Sequence, residues 1–134
     1  MNAPAHDRMA LALSALRIAV ALLIFIHGAA RIAAGGVAPF GGWLETQGFP
    51  MGIAWAWAVT VYELAAPVLI ILRRFVSLLC LGHAGILALG MVMVHLPSGW
   101  FVVGLGRNGM EYSVLLIVCL LALAFVHQPK RDGA

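Results

Sequence analysis

Charge is what this chain has least of. Asp, Glu, Lys and Arg make up 10% of its 134 residues, against a hydrophobic share of 63% and a mean hydropathy of +1.03. A water-facing domain of this size is about a quarter charged. So little charge cannot cover a soluble surface, and the solvent for most of the chain is lipid. Cysteine is scarce too. Cys80 and Cys119 lie far apart inside apolar runs, which gives no support to a C-x-x-C thiol–disulfide relay and leaves both as small buried hydrophobes. The net charge is +3, but Lys and Arg are spread thinly at segment ends. That is a topology signal and not the footprint of a nucleic-acid binder. The apolar runs also lack the polar alternation of membrane β-strands. Backbone groups in lipid must be satisfied within their own segment, so the expected fold class is all-α.

What is present is four apolar segments, at about 9–34, 51–72, 75–96 and 110–127. Each has roughly the 20 residues that a bilayer requires, the fourth being the shortest. The expectation is a single transmembrane domain over 1–134, an integral membrane four-helix bundle. Arg17 and Arg31 in segment one favour a retained helix over a cleaved signal peptide. Between segments one and two, Pro39 can open a short helix and Gly48 and Pro50 can end it. Phe40, Trp43 and Leu44 share one face of it, which suggests an interfacial helix with its aromatics among lipid headgroups. Arg73-Arg74 makes a tight turn, Pro97-Ser98-Gly99 breaks segment three, and Pro129 follows segment four. Arg8, Arg73, Arg74, Lys130 and Arg131 fall on one side, and Arg31 and Arg107 on the other. The richer side is cytoplasmic by the positive-inside rule, with both termini there. Trp43, Trp55, Trp57 and Trp100 fall near the opposite face, as an aromatic belt would.

The polar residues inside these segments are the candidate chemistry. Neither Glu63 nor Arg17 can face lipid, and their estimated depths place them within a few ångströms of each other, so they are expected to pair, or Glu63 to be neutral. Pro67, four residues after Glu63, removes a helix hydrogen bond there and is expected to kink the segment. Nearer the outer face lie His27 and Arg31, one turn apart, with His95, Asn108 and Glu111. This layer suits an anionic or quinone-like headgroup. The plainer reading of Asn108 and Glu111 is a capping box at the start of segment four. His83, beside Gly82 and Gly85, reads as a packing residue with an interhelical hydrogen bond. Haem would want matched histidines such as His27 and His95. Copper would draw on Met91-x-Met93-x-His95, although Met91 and Met93 point to different sides of a helix. Neither pattern is specific, and no metal site is assigned.

In order and spacing, several of these residues resemble the DoxX family of small bacterial membrane proteins. They are Arg17, His27-Gly28, Phe40-Gly-Gly-Trp43 with Gly48-Phe-Pro50, Glu63, Arg74, His95 with Gly99-Trp100-Phe101, and Asn108-Gly-x-Glu111-Tyr112. The resemblance implies four transmembrane helices in a bacterial inner membrane. It also implies kinship with the membrane subunit of a thiosulfate:quinone oxidoreductase, which works with partner proteins. Arg31 fills a position that is usually lysine-like in that family and keeps its positive charge. On this reading Glu63 and His95 are the candidate catalytic groups, and Arg17, His27, Arg31, Trp100, Asn108 and Glu111 the candidate ligand-binding groups. Quinone is the candidate cofactor, and the partners are the bilayer and a redox protein. Two further readings stand beside it: a non-catalytic membrane anchor, and a transporter, which would need a homo-oligomer because four short helices leave little room for a path.

Overall fold

A computed structural model describes residues 4–128. Pro129, Lys130 and Arg131, which entered the expectations above, lie outside the described residues. These consist of five α-helices and turns, with no strand among them: α1 (Ala5–Ala33), α2 (Val37–Thr46), α3 (Gly52–Ile71), α4 (Val76–Gly90) and α5 (Glu111–Val126). α4 continues into a π-turn at Met91–His95 and a 3₁₀ turn at Leu96–Ser98. Three stretches are long and apolar enough to cross a membrane: Ala5–Ala33, Gly52–Ile71 and Val76–Ser98. α5 is equally apolar but shorter, at 16 residues.

The four apolar helices meet in ring order. α1 packs along α3, α3 meets α4, α4 packs along α5, and α5 touches α1. The α1–α3 and α4–α5 contacts are extensive, and the two that join these pairs are slighter. The main core joins Val20, Ala21 and Ile24 of α1 with Ile70 of α3, Cys80 and Ala84 of α4, and Leu120 and Leu123 of α5. It lies toward the end of the molecule that holds the α3–α4 turn, here the turn end. The opposite end, holding α2 and residues 99–109, is the loop end. Leu22, Ile26, Val61, Leu81 and Leu115 face outward and are exposed, as lipid-facing side chains must be.

α2 does not turn its aromatics outward. A smaller core of Val37, Leu44 and Ala56 seats it on α3, with Phe40, Trp43 and Phe49 packed against it. Two glycines allow the close approach. A Cβ on Gly41 would lie 2.8 Å from the Ile53 Cα, and one on Gly52 would overlap the Gly41 carbonyl oxygen. The Gly52 amide also donates to Glu45 Oε1 at 3.2 Å. The face read as interfacial is therefore a packing face, because backbone contact with α3 rotates it inward.

The start of α5 differs as well. Its N-cap is Met110, and no side chain caps it. Asn108 sits at φ 60°, a left-handed conformation that asparagine tolerates in turns, and so belongs to the preceding loop. Glu111 instead accepts a hydrogen bond from the Val102 amide at 2.9 Å and ties that loop down. α3 runs unbroken through Pro67.

Gly52→Ala is expected to cost about 1–3 kcal/mol through forced separation of α2 from α3. Gly42→Ala meets nothing within 4 Å and should leave stability unchanged or raise it, since alanine is the better helix former. Thermal unfolding in detergent measures both, and equal midpoints for the two variants would refute the glycine clamp.

Candidate functional site

Between the two helix pairs, and beneath α2, lies a cavity of about 660 Å³. Its wall is mostly aliphatic and aromatic, with Phe40, Trp43, Phe49 and Trp55 at the loop end. The polar groups in the wall come from every long helix: His27 and Arg31 from α1, Glu63 from α3, His83 from α4, and Tyr112 and Ser113 from α5, with His95 from the π-turn.

Arg31 and Glu63 form the centre of one wall. Arg31 Nη1 donates to Glu63 Oε2 at 2.5 Å and to Thr60 Oγ1 at 2.9 Å, and Nη2 donates to Glu63 Oε1 at 3.3 Å. The two parallel contacts are the fork geometry of a guanidinium–carboxylate pair. The Thr60 hydroxyl donates in turn to the Ala56 carbonyl at 2.7 Å, which leaves its oxygen oriented to accept from Arg31. Phe40 of α2 lies under the guanidinium, 4.8 Å from Arg31 Cζ to the ring centroid, a cation–π distance. Gly28 lets the backbones approach: a Cβ there would stand 3.0 Å from Glu63 Cβ. One side chain thus ties α1, α2 and α3 together.

The partner expected for Glu63 was Arg17, and the structure assigns Arg31 instead. Arg17 is buried at the turn end, where its Nη1 donates to the Ile70 and Ile71 carbonyls, both at 2.9 Å. These carbonyls belong to the last turn of α3, where the helix dipole is negative; the Ile70 carbonyl also accepts from the Arg73 amide at 3.1 Å, so Arg17 supplies a second donor there. The depth estimate failed because α1 has 29 residues, about 44 Å of helix, and extends past the end of α3. With Gly28 against Glu63, Arg17 falls opposite the C-terminus of α3.

The other candidates divide in the same way. His27 lies on the cavity edge and is exposed. His95 is half-buried, and its Nδ1 lies 2.8 Å from the Asn108 carbonyl oxygen. A carbonyl can only accept, so Nδ1 carries the proton and donates, and in the neutral ring Nε2 is left as an acceptor. Asn108 acts through its backbone, Glu111 holds Val102, and Trp100 accepts at its carbonyl from the Glu111 amide at 3.1 Å. Asn108, Glu111, Trp100 and Arg17 do not line the cavity. Met91 and Met93 both do, despite their separation around a helix. Thr60, Tyr112 and Ser113 were missed. Thr60 was findable, since it lies three residues before Glu63 and so on the same helical face. Among the described residues, no group of three or more His, Cys, Asp or Glu is placed to hold a metal ion.

Glu63→Leu should leave an unpaired guanidinium in a largely buried site and cost about 3–5 kcal/mol. The double variant Arg31→Met with Glu63→Leu should recover most of that loss, because burying neither charge avoids both desolvation penalties. Unfolding by sodium dodecyl sulfate titration completes the cycle, and a double variant no more stable than Glu63→Leu would count against the pair.

A family model described as DoxX matches residues 12–96. No curated protein and no solved structure matches the chain. The matched stretch runs from α1 through the π-turn and holds Arg17, His27, Arg31, Glu63 and His95. Gly99-Trp100-Phe101 and Asn108 to Tyr112 lie beyond it. Together with the helices long and apolar enough to cross a bilayer, the match makes this a multi-pass membrane protein, and as it spans more than half of the sequence, the chain belongs to the DoxX family.

Proposed function

We propose that the protein is a bacterial inner-membrane subunit of a redox system and that its cavity binds the head group of a quinone. All four apolar helices cross the membrane in this reading, with both termini in the cytoplasm. The charge distribution supports that orientation. Arg8, Arg17, Arg73 and Arg74 lie toward the turn end, while at the loop end Arg31 is matched by Glu63, so Arg107 is the remaining basic residue there among those described. The cytoplasmic side is then the turn end, and the cavity opens in the outer half.

The observation that carries the reading is a mostly apolar recess, partly open to the surface, on which a few polar groups converge. A helix pack that served only as an anchor would gain packing contacts by closing such a recess. Its volume of about 660 Å³ falls within the roughly 300–1,000 Å³ of pockets that take organic ligands. The Arg31 charge is already met by Glu63 and its fork is shared with Thr60. The wall is therefore nearly neutral and favours a neutral carbonyl-bearing head over an anion. Reducing a quinone consumes two electrons and two protons. His95, with Nδ1 held by Asn108 and Nε2 open as an acceptor, is suited to pass protons between the chamber and the outer water. Glu63 is the second proton group: it would take up a proton on parting from Arg31, whose guanidinium stays on Thr60 and Phe40, and pass that proton to the reduced head before pairing with Arg31 again. We assign the electrons to a partner protein; Cys80 and Cys119 form no C-x-x-C motif of the kind a thiol relay uses.

Extraction of the purified protein into organic solvent, followed by mass spectrometry, should yield about one quinone per chain. Decylubiquinone added to the stripped protein should quench tryptophan emission, through Trp43 and Trp55 in the wall. Glu63→Gln and His95→Ala should each weaken that binding about tenfold or more. If both variants bind as the wild type does, the redox reading fails. A folded protein with nothing bound and no affinity for the probe would leave the anchor reading. Copper in the same sample would point to Met91, Met93 and His95.

A further inference from the structure

His83 of α4 is 1% exposed, and its Nε2 is buried without a hydrogen-bond partner. The ring is held firmly. Tyr62 packs on it with centroids 4.5 Å apart and planes at 46°. The Tyr62 hydroxyl donates to the Leu79 carbonyl at 3.0 Å, one turn before His83, which pins Tyr62 against α4. Gly82 makes that possible, because a Cβ there would overlap the Tyr62 hydroxyl. A residue needed only for packing would not be an imidazole, since Phe or Leu fills such a place without burying an unpaired nitrogen. His83 also borders the cavity, and Tyr62 directly precedes Glu63, so the ring stands near the depth of the Arg31–Glu63 pair.

We propose that His83 is a ligand-contacting residue and that Nε2 forms a hydrogen bond to an oxygen of the quinone head, an inference that rests on the quinone reading and extends it. A neutral imidazole serves both redox states of such a ligand. With the proton on Nε2 it donates to a quinone carbonyl, and with the proton on Nδ1 it accepts from a quinol hydroxyl. Nε2 is closed off in the ligand-free protein, so the head reaches it as the side chains over that atom shift, and then lies between His83 and the Arg31–Glu63 wall with its apolar tail leaving toward lipid.

The test titrates decylubiquinone into the detergent-solubilised full chain, following tryptophan emission, and records melting of the ligand-free protein. His83→Phe should bind about tenfold or more weakly, while its ligand-free form melts at the same temperature as the wild type or higher. His83→Gln, whose amide nitrogen reaches close to the place of Nε2, should stay within about threefold of wild-type affinity. His83→Leu makes the same test if the phenylalanine variant does not fold. Wild-type affinity in His83→Phe or His83→Leu overturns this inference alone, and lower melting with unchanged affinity assigns His83 to packing. Wild-type protein that binds no decylubiquinone overturns the quinone reading and this inference with it.

Discussion

A charge carried into lipid has to meet its opposite, and in this protein that requirement sets the register of α1 on α3. Arg31 reaches Glu63 because α1 passes α3 with Gly28 against Glu63, where a Cβ would crowd Glu63 Cβ at 3.0 Å. The remaining matches follow from one antiparallel alignment. Arg31 falls beside Thr60, and Arg17 falls at the last turn of α3, where the Ile70 and Ile71 carbonyls stand in for a carboxylate. A slip by one turn would leave an unpaired guanidinium in the protein interior, at a cost of several kcal/mol. α2 enters the same network through Phe40.

The cavity is the other side of this economy of contacts. Strong ties gather within α1–α2–α3 at the loop end, whereas α4 and α5 hold chiefly to each other. The two groups close on apolar side chains toward the turn end, where Ile70, Cys80, Leu120 and Leu123 are nearly inaccessible. Tyr62 bridges α3 to α4 just below the chamber, through Leu79 and His83. Above that bridge the wall passes to the π-turn of Met91–His95. A π-turn leaves a helix locally wider, and such turns recur at functional sites; here it carries His95 into the wall.

Much of the fold was legible in composition alone. Scarce charge and long apolar runs dictate helices, and the Arg73-Arg74 turn and the Pro97 break lie where the sequence puts them; the short helix is there too, but it starts at Val37, two residues before the proline expected to open it. What was not legible is which charges meet. Depth estimates assume that a helix begins where its hydrophobicity begins, but α1 starts at Ala5 and continues past its neighbour, so Arg17 was placed too deep and Glu63 was given the wrong partner. The direction of α2 was hidden for a similar reason. Its aromatic face suits a headgroup layer or a protein wall equally well, and the choice is made by Gly41 and Gly52, whose meaning appears only when the two backbones touch. Of the polar layer expected near the outer face, His27, Arg31 and His95 share one chamber with Glu63. Asn108 and Glu111 hold the loop beside it, because a left-handed residue at 108 starts α5 later than a capping box would.

The electrostatics of that chamber narrow what it can hold. Had Arg31 been free, an anion would be the natural occupant, drawn in from water by an unscreened charge in a medium of low dielectric constant. With its fork filled by Glu63 and Thr60, an anion would have to displace a carboxylate already in bidentate contact, and would leave Glu63 buried and unmatched. A neutral molecule faces no such exchange. It needs apolar walls for its bulk and single hydrogen bonds for its oxygens, and the histidines supply these from different elements: His83 from the packed side, His95 from the loop, and His27 from the edge. His95, its proton held on Nδ1 by the Asn108 carbonyl, offers an acceptor at Nε2, whereas Nε2 of His83 has no partner and can present a donor or an acceptor as the proton moves between the ring nitrogens. A ligand whose oxygens change from acceptors to donors on reduction would find at His83 a partner able to make the opposite change.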